Sequence, residues 1–523
     1  MDKGIITERI KKGGEKKMKK LFFISVFLVF YNLSGASFWE TFGSPETVNP
    51  YNLRILANGP EAAYYNPALL VRMRDNITIG FIVAAGGLDI GYMDKDPKYN
   101  VHLDVENRNA NELTNAGPNV PLEETRYTPM PTEKLLRQRG SYDPDFTNFY
   151  TLLGGNVSFF DGWVATGLYV LLPGRQLAGQ TPYYSDERNQ FFDNSLHFEL
   201  LGDRLDNFHL TFGLAGRVAR FLSLGMGFTL GVVAKADILV YVADASQPQH
   251  LLFDPAINVH TIPVISPHFG FALTPFKNFN VTGTLHMPST AFLFDLDVDI
   301  QIRGFDDLYE DDPDNPGEKM KYLNTGLQTN YGNDPLRVGL GLAYTFEKLG
   351  NYDLTIASNV LYTRWSTYKD RHREKPLDKW KDTFKPAVGL NVKSEEREFG
   401  LDLSYYMTPV PDQTGRSNYV DNDRFGFSLA YAEYFNFKNF TLAGGISGQA
   451  QFLFARKTEK TRTEEDGVGE HFNPVIDEYP EMTNSEGVVY ESSKGFQTNN
   501  PGFPGFTSKG FIMGAGIYIR ILF

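Results

Sequence analysis

The sequence predicts an all-β fold, a 14-stranded antiparallel transmembrane β-barrel with an N-terminal plug (hatch) in its lumen. Three observations carry this prediction. Fourteen segments alternate between apolar and polar side chains, long and short connections alternate between these segments, and the last segment is apolar along one entire face. Alternation with a period of two indicates β-strands, and an even number of strands is typical of bacterial single-chain barrels.

The closing strand is predicted at Gly510–Phe523. Its apolar face carries Phe511, Met513, Ala515, Ile517, Ile519, Ile521 and Phe523. The opposite face carries glycines together with Tyr518 and Arg520. In water a strand this apolar would be an aggregation-prone open edge. The alternative interpretation is the terminal strand of a soluble sandwich. In a bilayer it can pair with the first strand and close a barrel.

The other thirteen strands follow the same pattern along the chain. We predict them at 76–85, 149–160, 163–172, 208–218, 221–240, 262–273, 279–287, 336–346, 352–363, 384–392, 399–407, 425–434 and 440–454. The seventh is expected to continue towards Arg303. The long connections would lie outside the cell and the short turns in the periplasm. Aromatic residues at the short turns, such as Phe160 with Trp163 and Phe276 with Phe279, predict an interfacial girdle.

The composition excludes several classes of function. The 523 residues contain no cysteine, so a disulfide framework, a thiolate metal site and a cysteine nucleophile are all impossible. The formal net charge is −13, and the first 36 residues carry eight Lys/Arg against three Asp/Glu, which leaves about −18 on the remainder. An acidic chain of this kind argues against nucleic-acid binding. The mean hydropathy of −0.30 is too polar for a helical membrane protein, whereas barrel strands face a polar lumen on one side.

Residues 1–36 have the features of a secretory signal peptide. Four lysines within 16–20 precede the apolar run 21–31, and the small residues 34–36 follow as a cleavage site. The apolar run is too short for a spanning helix. Because Met18 begins a complete signal sequence, residues 1–17 are predicted to be an extension upstream of the true start.

Residues 37–75 are predicted to form a hatch, followed by the barrel over 76–523. The segment lacks long alternation and contains NGPEAAYYNPALL at 58–70. Residues Ala62–Tyr65 can form a short helix that stops before Asn66-Pro67, because the residue before a proline is disfavoured in the helical region. The segment is therefore either a soluble linker or a compact plug inside the lumen.

Several motifs of this sequence resemble those of the FadL/OMPP1/TodX family of outer-membrane transporters for hydrophobic molecules. Asn66, Pro67 and Ala68 match the family's A-x-x-YNPA-type motif directly before the first strand. The stretches 365–390, beginning WSTYKD, and 405–429, containing PVPDQTG and DND, are similar to its loop-and-strand signatures. The resemblance implies a location in the bacterial outer membrane and a barrel of fourteen strands around a hatch.

The resemblance also implies passive transport of hydrophobic compounds, with long-chain fatty acids as the first expectation and aromatic hydrocarbons as the second. The implied route is capture by the outer loops, binding in the lumen, movement of the plug and lateral release through the wall. Asn66, Pro67 and Ala68 are the expected gate. A non-transport barrel of the same superfamily, such as a secretion shuttle or a surface-binding protein, is the alternative.

Candidate residues can be assigned to the steps of this route. The apolar candidates for capture in the outer loops, which could equally pack the loops themselves, are Leu251, Leu252 and Phe253, with Phe191, Phe192 and Leu196. Gly167 on the third strand is the candidate for the lateral opening. Lys235 and Arg337 are the candidates for contact with an acidic headgroup in the lumen. Both could instead pair with Asp353 or Asp402.

No catalytic constellation is predicted. The nine histidines are scattered, and no H-E-x-x-H, G-x-S-x-G or P-loop pattern occurs. His268 and His286 are expected to face inward at similar height on adjacent strands, either as ordinary lumen lining or as a pair that titrates near neutral pH. We therefore expect no enzyme activity, no metal and no cofactor.

The expected partners follow from this location. They are a hydrophobic, fatty-acid-like ligand, the lipid and lipopolysaccharide of the outer membrane, and the barrel assembly machinery. The machinery would recognise the C-terminal strand that ends at Phe523. No nucleic-acid partner is expected, and the chain is expected to be a monomer.

Overall fold

The structure is a computed structural model. It describes residues 37–93, 102–104, 146–174, 196–201, 205, 208–242, 253–290, 296–299, 301–302, 324–327, 333–369, 375–414, 417–460, 481–483 and 505–523. The predicted signal peptide and four of the capture candidates, Phe191, Phe192, Leu251 and Leu252, lie outside these residues.

Fourteen antiparallel strands form one closed barrel, which confirms the predicted fold class. They are β1 (Asn76–Tyr92), β2 (Phe146–Phe159), β3 (Val164–Pro173), β4 (His209–Ala219), β5 (Leu222–Val242), β6 (Phe253–Phe276), β7 (Phe279–His286), β8 (Arg337–Leu349), β9 (Tyr352–Thr363), β10 (Thr383–Lys393), β11 (Arg397–Tyr406), β12 (Arg424–Asn436), β13 (Thr441–Glu459) and β14 (Gly505–Leu522). Each strand pairs with its neighbours in the chain, and β14 pairs with β1. No strand of the barrel is therefore left with an open edge.

The first and last strands close the barrel over their full length. The register runs from Asn76 opposite Leu522 to Tyr92 opposite Phe506. One further bond, from the Phe523 amide to the Asp75 carbonyl (2.9 Å), continues this pairing beyond the strand ends. The chain terminus therefore lies beside the start of β1, at the end of the barrel that carries the short turns.

The two faces of the wall have opposite character, as the alternation predicts. On β14, Ile517 and Ile519 are 55% and 56% exposed, whereas Tyr518 and Arg520 are 4% and 1% exposed. Exposed aromatic residues, among them Phe160, cluster at the short turns. An apolar outer surface with an aromatic girdle is characteristic of a barrel that spans a lipid bilayer, the architecture of bacterial outer-membrane proteins.

Strand ends differ from the predictions where proline is involved. The β5–β6 hairpin continues to Val242 opposite Phe253, so Phe253 begins a strand and does not lie in a loop as predicted. Proline cannot donate to a ladder, and Pro255 therefore weakens the strand signal in the sequence. The predicted continuation of strand seven towards Arg303 is wrong, because β7 ends at His286.

Residues 37–72 fold into short helices inside the barrel. They are α1 (Ser37–Phe42), α2 (Leu53–Leu56), α3 (Ala62–Tyr65) and a 3-10 helix (Pro67–Arg72). This segment is called the plug below. Nearly all of its side chains are buried, and several pack with inward-facing residues of the wall in one apolar cluster. Among the described residues, no helix is both long and apolar enough to cross a membrane.

Short helical and strand elements lie at the end of the barrel that carries the long connections. They are a 3-10 turn at Trp365–Thr367 and the small strands His102–Asp104, His197–Phe198, Ser289–Thr290, Leu296–Asp299, Gln301–Ile302, Asn324–Leu327, Asn333–Asp334, Tyr419–Val420 and Glu481–Thr483. Of these, His197–Phe198 pairs in parallel with Tyr419–Val420. This pairing brings two distant loops together over the lumen.

The orientation of β14 can be tested by placing a charge on its outer face. We expect Ile517→Arg to destabilise the barrel in lipid by about 2–4 kcal/mol, because the charge would lie near the middle of the hydrocarbon layer. The matched variant Ile521→Arg lies on the same face near the strand end and should cost about 0–1 kcal/mol. Urea unfolding in lipid vesicles measures both, and equal costs would contradict this depth assignment.

Candidate functional site

The predicted gate motif lies where the plug contacts β6. The α3 helix ends before Asn66, whose backbone is extended (φ −161°), as expected for a residue before proline. The Asn66 side chain accepts a bond from the Ala68 amide (3.2 Å) and donates to the carbonyls of Arg54 (3.1 Å) and Phe271 (3.3 Å). Asn66 therefore caps the following 3-10 helix and also ties the plug to the wall.

Glycines of the wall make room for this motif. A Cβ built at Gly270 would lie 2.1 Å from the Asn66 side-chain oxygen, and one at Gly225 would lie 2.3 Å from the Ala68 amide nitrogen. Any other residue at these positions would collide with the motif in its present place. The backbone of the wall at these glycines is therefore in direct contact with the plug.

A second contact holds the opposite side of the plug. The carboxylate of Asp402, on β11, accepts four hydrogen bonds from the plug. The side-chain amides of Asn49 and Asn52 each donate to it at 2.8 Å. The backbone amides of Tyr51 (2.9 Å) and Asn52 (3.2 Å) donate as well. Asp402 is fully buried, and four donors on one carboxylate compensate much of the cost of burying it.

The upper surface of the plug carries one ionised carboxylate. Glu40, on α1, accepts bonds from Arg54 (2.7 Å) and from the Tyr64 hydroxyl (2.9 Å). Burial by itself would raise the pKa of Glu40, but the nearby charges of Arg54, Arg337 and Lys385 hold this pKa at about 2. Glu40 is therefore charged at all physiological pH values.

A cavity of about 60 Å³ lies between this surface of the plug and the long-connection end of the barrel. Glu40 and Thr41 form its floor, while Leu200, Leu361 and Trp365 contribute apolar wall. Three cations of the barrel wall, which are Arg337, Lys385 and Arg424, also line it. The cavity thus combines apolar surface with a concentration of positive charge.

The three cations differ in how they are compensated. Arg337 forms two hydrogen bonds with Asp334 (2.6 and 3.1 Å), so its charge is neutralised. Lys385 donates to the backbone carbonyl of Glu40 (2.6 Å). The Arg424 guanidinium stacks 3.9 Å from the centroid of the Tyr406 ring. Within the described part of the chain, Lys385 and Arg424 form no ion pair at contact distance, although the charge of Glu40 acts on Lys385 and that of the buried Asp421 acts on Arg424. The Nε of Arg424 has no hydrogen-bond acceptor among these residues.

An aromatic cap covers this end of the lumen. It consists of Trp365, Tyr368, Trp380 and Tyr419, with Leu200 and Val410 packed among them. Tyr368 and Trp380 stack with ring centroids 4.0 Å apart. The Tyr368 hydroxyl also donates to Glu199, which lies 2.7 Å from the His197 ring. The tryptophan-containing motif of the sequence therefore forms part of the outer mouth.

The structure separates the predicted site residues. Arg337 lies in the cavity, where it pairs with Asp334 and not with Asp353 or Asp402, the two partners that the sequence suggests. Lys235 and Phe253 lie on β5 and β6, in the stretch whose side chains are not described. The capture candidate Leu196 is fully buried, as is expected if it packs the loops.

Gly167 faces the plug. A Cβ at this position would lie 2.7 Å from a side-chain methyl of Leu70. The β3 ladder continues through Gly167, which is opposite Asn156 on β2 and Gly213 on β4. No lateral opening is therefore present at Gly167 in this structure.

The two predicted inward-facing histidines form a stacked pair. His268 and His286 lie opposite one another in register, with ring centroids 5.0 Å apart. The His268 ring is 2.6 Å from the Ala63 carbonyl, and the His286 ring lies against Tyr64. Both histidines are buried against α3, so they are contacts between plug and wall and do not line an open lumen.

The sequence did not identify the residues that line the cavity and hold the plug. Lys385 and Arg424 were not singled out, and Asp402 was considered only as the partner of a cation. Lys385 and Asp402 are charged residues at inward positions of predicted strands, whereas Arg424 directly precedes the predicted strand 425–434. The sequence contained no signal for the plug groups that each would face.

The fold and the site define a plugged membrane barrel with a charged cavity above the plug. No family model and no curated protein matches the chain. A Pseudomonas aeruginosa FadL homologue matches with 15% identity and a TM-score of 0.47, over 94% of this chain and 99% of that chain. The P. putida toluene transporter TodX matches with 9% identity and a TM-score of 0.40, over 92% and 99%. Neither match carries a ligand or a role over to this chain.

Removal of the Asp402 carboxylate should loosen the plug. In Asp402→Ala four donors lose their acceptor, and we expect the docked plug to lose about 3 kcal/mol or more, since bonds to a charged group contribute about 1.5–3 kcal/mol each. Hydrogen exchange of residues 49–52, followed by mass spectrometry, measures the effect. Asp353→Ala is the matched control, because among the described residues the Asp353 carboxylate accepts one bond, from the Lys348 amide at an exposed turn. Unchanged exchange in Asp402→Ala would contradict the proposed anchor.

Proposed function

We propose that this barrel transports hydrophobic compounds passively across the bacterial outer membrane, and that its substrates are long-chain fatty acids. The observation that carries the proposal is the cavity above the plug, where apolar side chains and two cations without ion-pair partners line the same space. An amphipathic carboxylate matches both features. Lys385 and Arg424 would face its headgroup, and the apolar wall would contact the part of the chain next to the headgroup, since a cavity of about 60 Å³ does not hold a whole long chain.

The physical balance favours such a ligand. Each methylene that leaves water contributes about 0.8 kcal/mol, and ordering of the chain offsets part of this gain. Arg424 is already buried and aligned against Tyr406, so its own ordering and desolvation are largely complete before a ligand arrives. A carboxylate at its Nε would supply the acceptor that this atom lacks among the described residues.

Passage beyond the cavity requires the plug to move. The plug fills the lumen between Asp402 on one side and the glycines at Gly225 and Gly270 on the other. We propose Asn66, Pro67 and Ala68 as the gate, because Asn66 links α3, the 3-10 helix and β6. Movement of this motif would also withdraw Leu70 from Gly167. Lateral release at β3 would then follow if the ladder at Gly167 opened.

The surroundings of the barrel follow from the same proposal. Its apolar outer face would contact the lipid and lipopolysaccharide of the outer membrane. The strand that ends at Phe523 would direct assembly of the barrel. A neutral aromatic hydrocarbon is the alternative substrate, since it would use the apolar wall and the aromatic cap without needing either cation.

A disulfide between plug and wall should stop transport reversibly. A Cβ at Gly167 would lie 3.4 Å from the Cβ of Ala63, close to the separation of about 3.5–4.5 Å that a disulfide needs. The nearest obstacle is the flexible end of Leu70. The chain has no other cysteine, so Ala63→Cys with Gly167→Cys would form a single bridge. We expect uptake of labelled fatty acid by the oxidised variant to fall at least about tenfold and to recover on reduction.

The two single-cysteine variants are the controls for this lock, because they carry the same changes in packing without a bridge. Their uptake should not respond to oxidant. Transport by the fully bridged variant at the rate of the reduced form would contradict a moving plug. Unimpaired growth on fatty acids after deletion of the gene would instead favour a barrel without a transport role.

Arg424 should distinguish a fatty acid from a neutral hydrocarbon. We expect Arg424→Gln to weaken binding of a long-chain carboxylate by about 10- to 150-fold, the equivalent of 1.5–3 kcal/mol for a bond to a charged group. Toluene binding should change less than about twofold. Tryptophan fluorescence titration of the purified barrel measures both ligands.

Arg397→Gln provides a matched substitution outside the cavity. The Arg397 side chain is exposed, and among the described residues its ion pair is a long one, with Glu433 (3.6 Å), at a periplasmic turn. Fatty-acid binding in this variant should equal that of the wild type. Equal losses in both variants, or a loss of toluene binding in Arg424→Gln, would rule out Arg424 as the headgroup contact.

A further inference from the structure

Two carboxylates and one cation are buried together where the plug meets the closing strand. Glu46 and Glu61 belong to the plug and are fully buried, and Arg520 comes from the inner face of β14 with 1% exposure. If both acids were ionised, the group would carry a net negative charge without access to water. Burial of uncompensated charge is costly, so such groups usually bind a proton instead.

Arg520 makes most of its contacts with other groups. It donates to Thr78 (3.1 Å), to the side-chain oxygen of Asn58 (2.6 Å) and to the backbone carbonyl of Glu46 (2.7 Å). The carboxylate of Glu61 is 3.5 Å away. Arg520 therefore compensates at most one of the two acids, and it contacts Glu46 through the backbone and not through the carboxyl group.

Glu61 has further donors, and Glu46 does not. The Glu61 carboxylate accepts from the amides of Asn58 (3.0 Å) and Gly59 (2.9 Å). In contrast, the two hydroxyl groups near Glu46, those of Ser44 and Tyr169, bond to each other (2.8 Å), and neither carboxyl oxygen of Glu46 has a hydrogen-bond partner of ordinary geometry among the described residues. An ionised carboxylate without donors is the more costly of the two to bury, so the proton resides on Glu46.

The groups around Glu46 come from three elements. The titratable and charged side chains that face it are Glu61 and Tyr65 of the plug, Arg520 of β14 and Tyr169 of β3. Both tyrosines are neutral near physiological pH, because the pKa of a phenol is ordinarily about 10, and burial raises the pKa of Tyr65 further. Among the described neighbours, Arg520 is thus the one positive charge near the pair.

We propose that the Glu46–Glu61 pair is a proton-binding site that holds the plug against β14, and that loss of this proton releases this side of the plug. The site would make the position of the plug sensitive to pH. It acts through the contact between plug and wall, so it is independent of which ligand the barrel transports.

The direction of the effect follows from the pKa of Glu46. Burial, together with repulsion from Glu61, raises this pKa to about 8 in the docked plug, compared with an ordinary value of 4.5 for an exposed glutamate. The docked plug therefore retains a proton that the released plug gives up between these two values. Docking weakens as the pH rises through this window, by up to about tenfold per pH unit, and changes no further above it.

Hydrogen exchange of the plug tests the proposal. The full-length barrel in lipid nanodiscs is labelled between pH 5 and pH 9, and protection of residues 37–72 is corrected for the intrinsic pH dependence of exchange. We expect protection in the wild type to fall with rising pH up to about pH 8. In Glu46→Gln the neutral side chain replaces the protonated acid, so protection should stay high and independent of pH.

Two further variants distinguish the proton site from a general loosening. Glu61→Gln retains an acceptor for the Asn58 and Gly59 amides and removes the repulsion on Glu46 but not its burial, so its protection should still fall with rising pH, over a window that ends at a lower pH than in the wild type. Glu40→Gln breaks the contact with Arg54, and because Glu40 is always ionised, protection should fall equally at every pH without a change of slope. A flat wild-type profile, or a Glu46→Gln profile with the wild-type slope, would overturn the proposal.

Discussion

The ladder between β1 and β14 is the contact on which the rest of the structure depends. Inside a bilayer each backbone N–H and C=O must be paired within the protein. Here residues 76–92 pair with residues 506–522 along the whole seam, although 413 residues separate Tyr92 from Phe506 in the chain. Once this seam is closed, the outer face can be apolar and the inner face can carry charge.

A closed wall also creates a lumen, and most of the remaining chemistry concerns how that lumen is filled. The plug brings buried polar groups with it, and each needs a partner. Asp402 supplies acceptors on one wall, Arg520 supplies donors on another, and Asn66 bonds to a strand carbonyl of β6. Where the pairing is incomplete, at Arg424 and at Glu46, we propose a ligand in one case and a proton in the other.

Much of the fold could be predicted because the signals are local. Alternation placed fourteen strands and assigned the faces of β14 correctly, and the proline rule placed the end of α3 at Tyr65. Errors arose where one local signal opposed a tertiary contact. Pro255 weakens the strand signal in the sequence, yet β6 continues through Pro255 because it pairs with β5 there. Asp402 was considered as a partner for a lumenal cation, whereas amides of the plug surround it.

The sequence by itself determined the number of strands, which side chains face inward, and the presence of a separate N-terminal segment, because each depends on periodicity or on a breaker within a few residues. Only the tertiary structure decided which inward groups meet. Arg424 on β12, Lys385 on β10 and Glu40 on α1 converge on one cavity because of strand register and the position of the plug. Neither the strand register nor the position of the plug can be read from the residues that neighbour Arg424, Lys385 and Glu40 in the sequence.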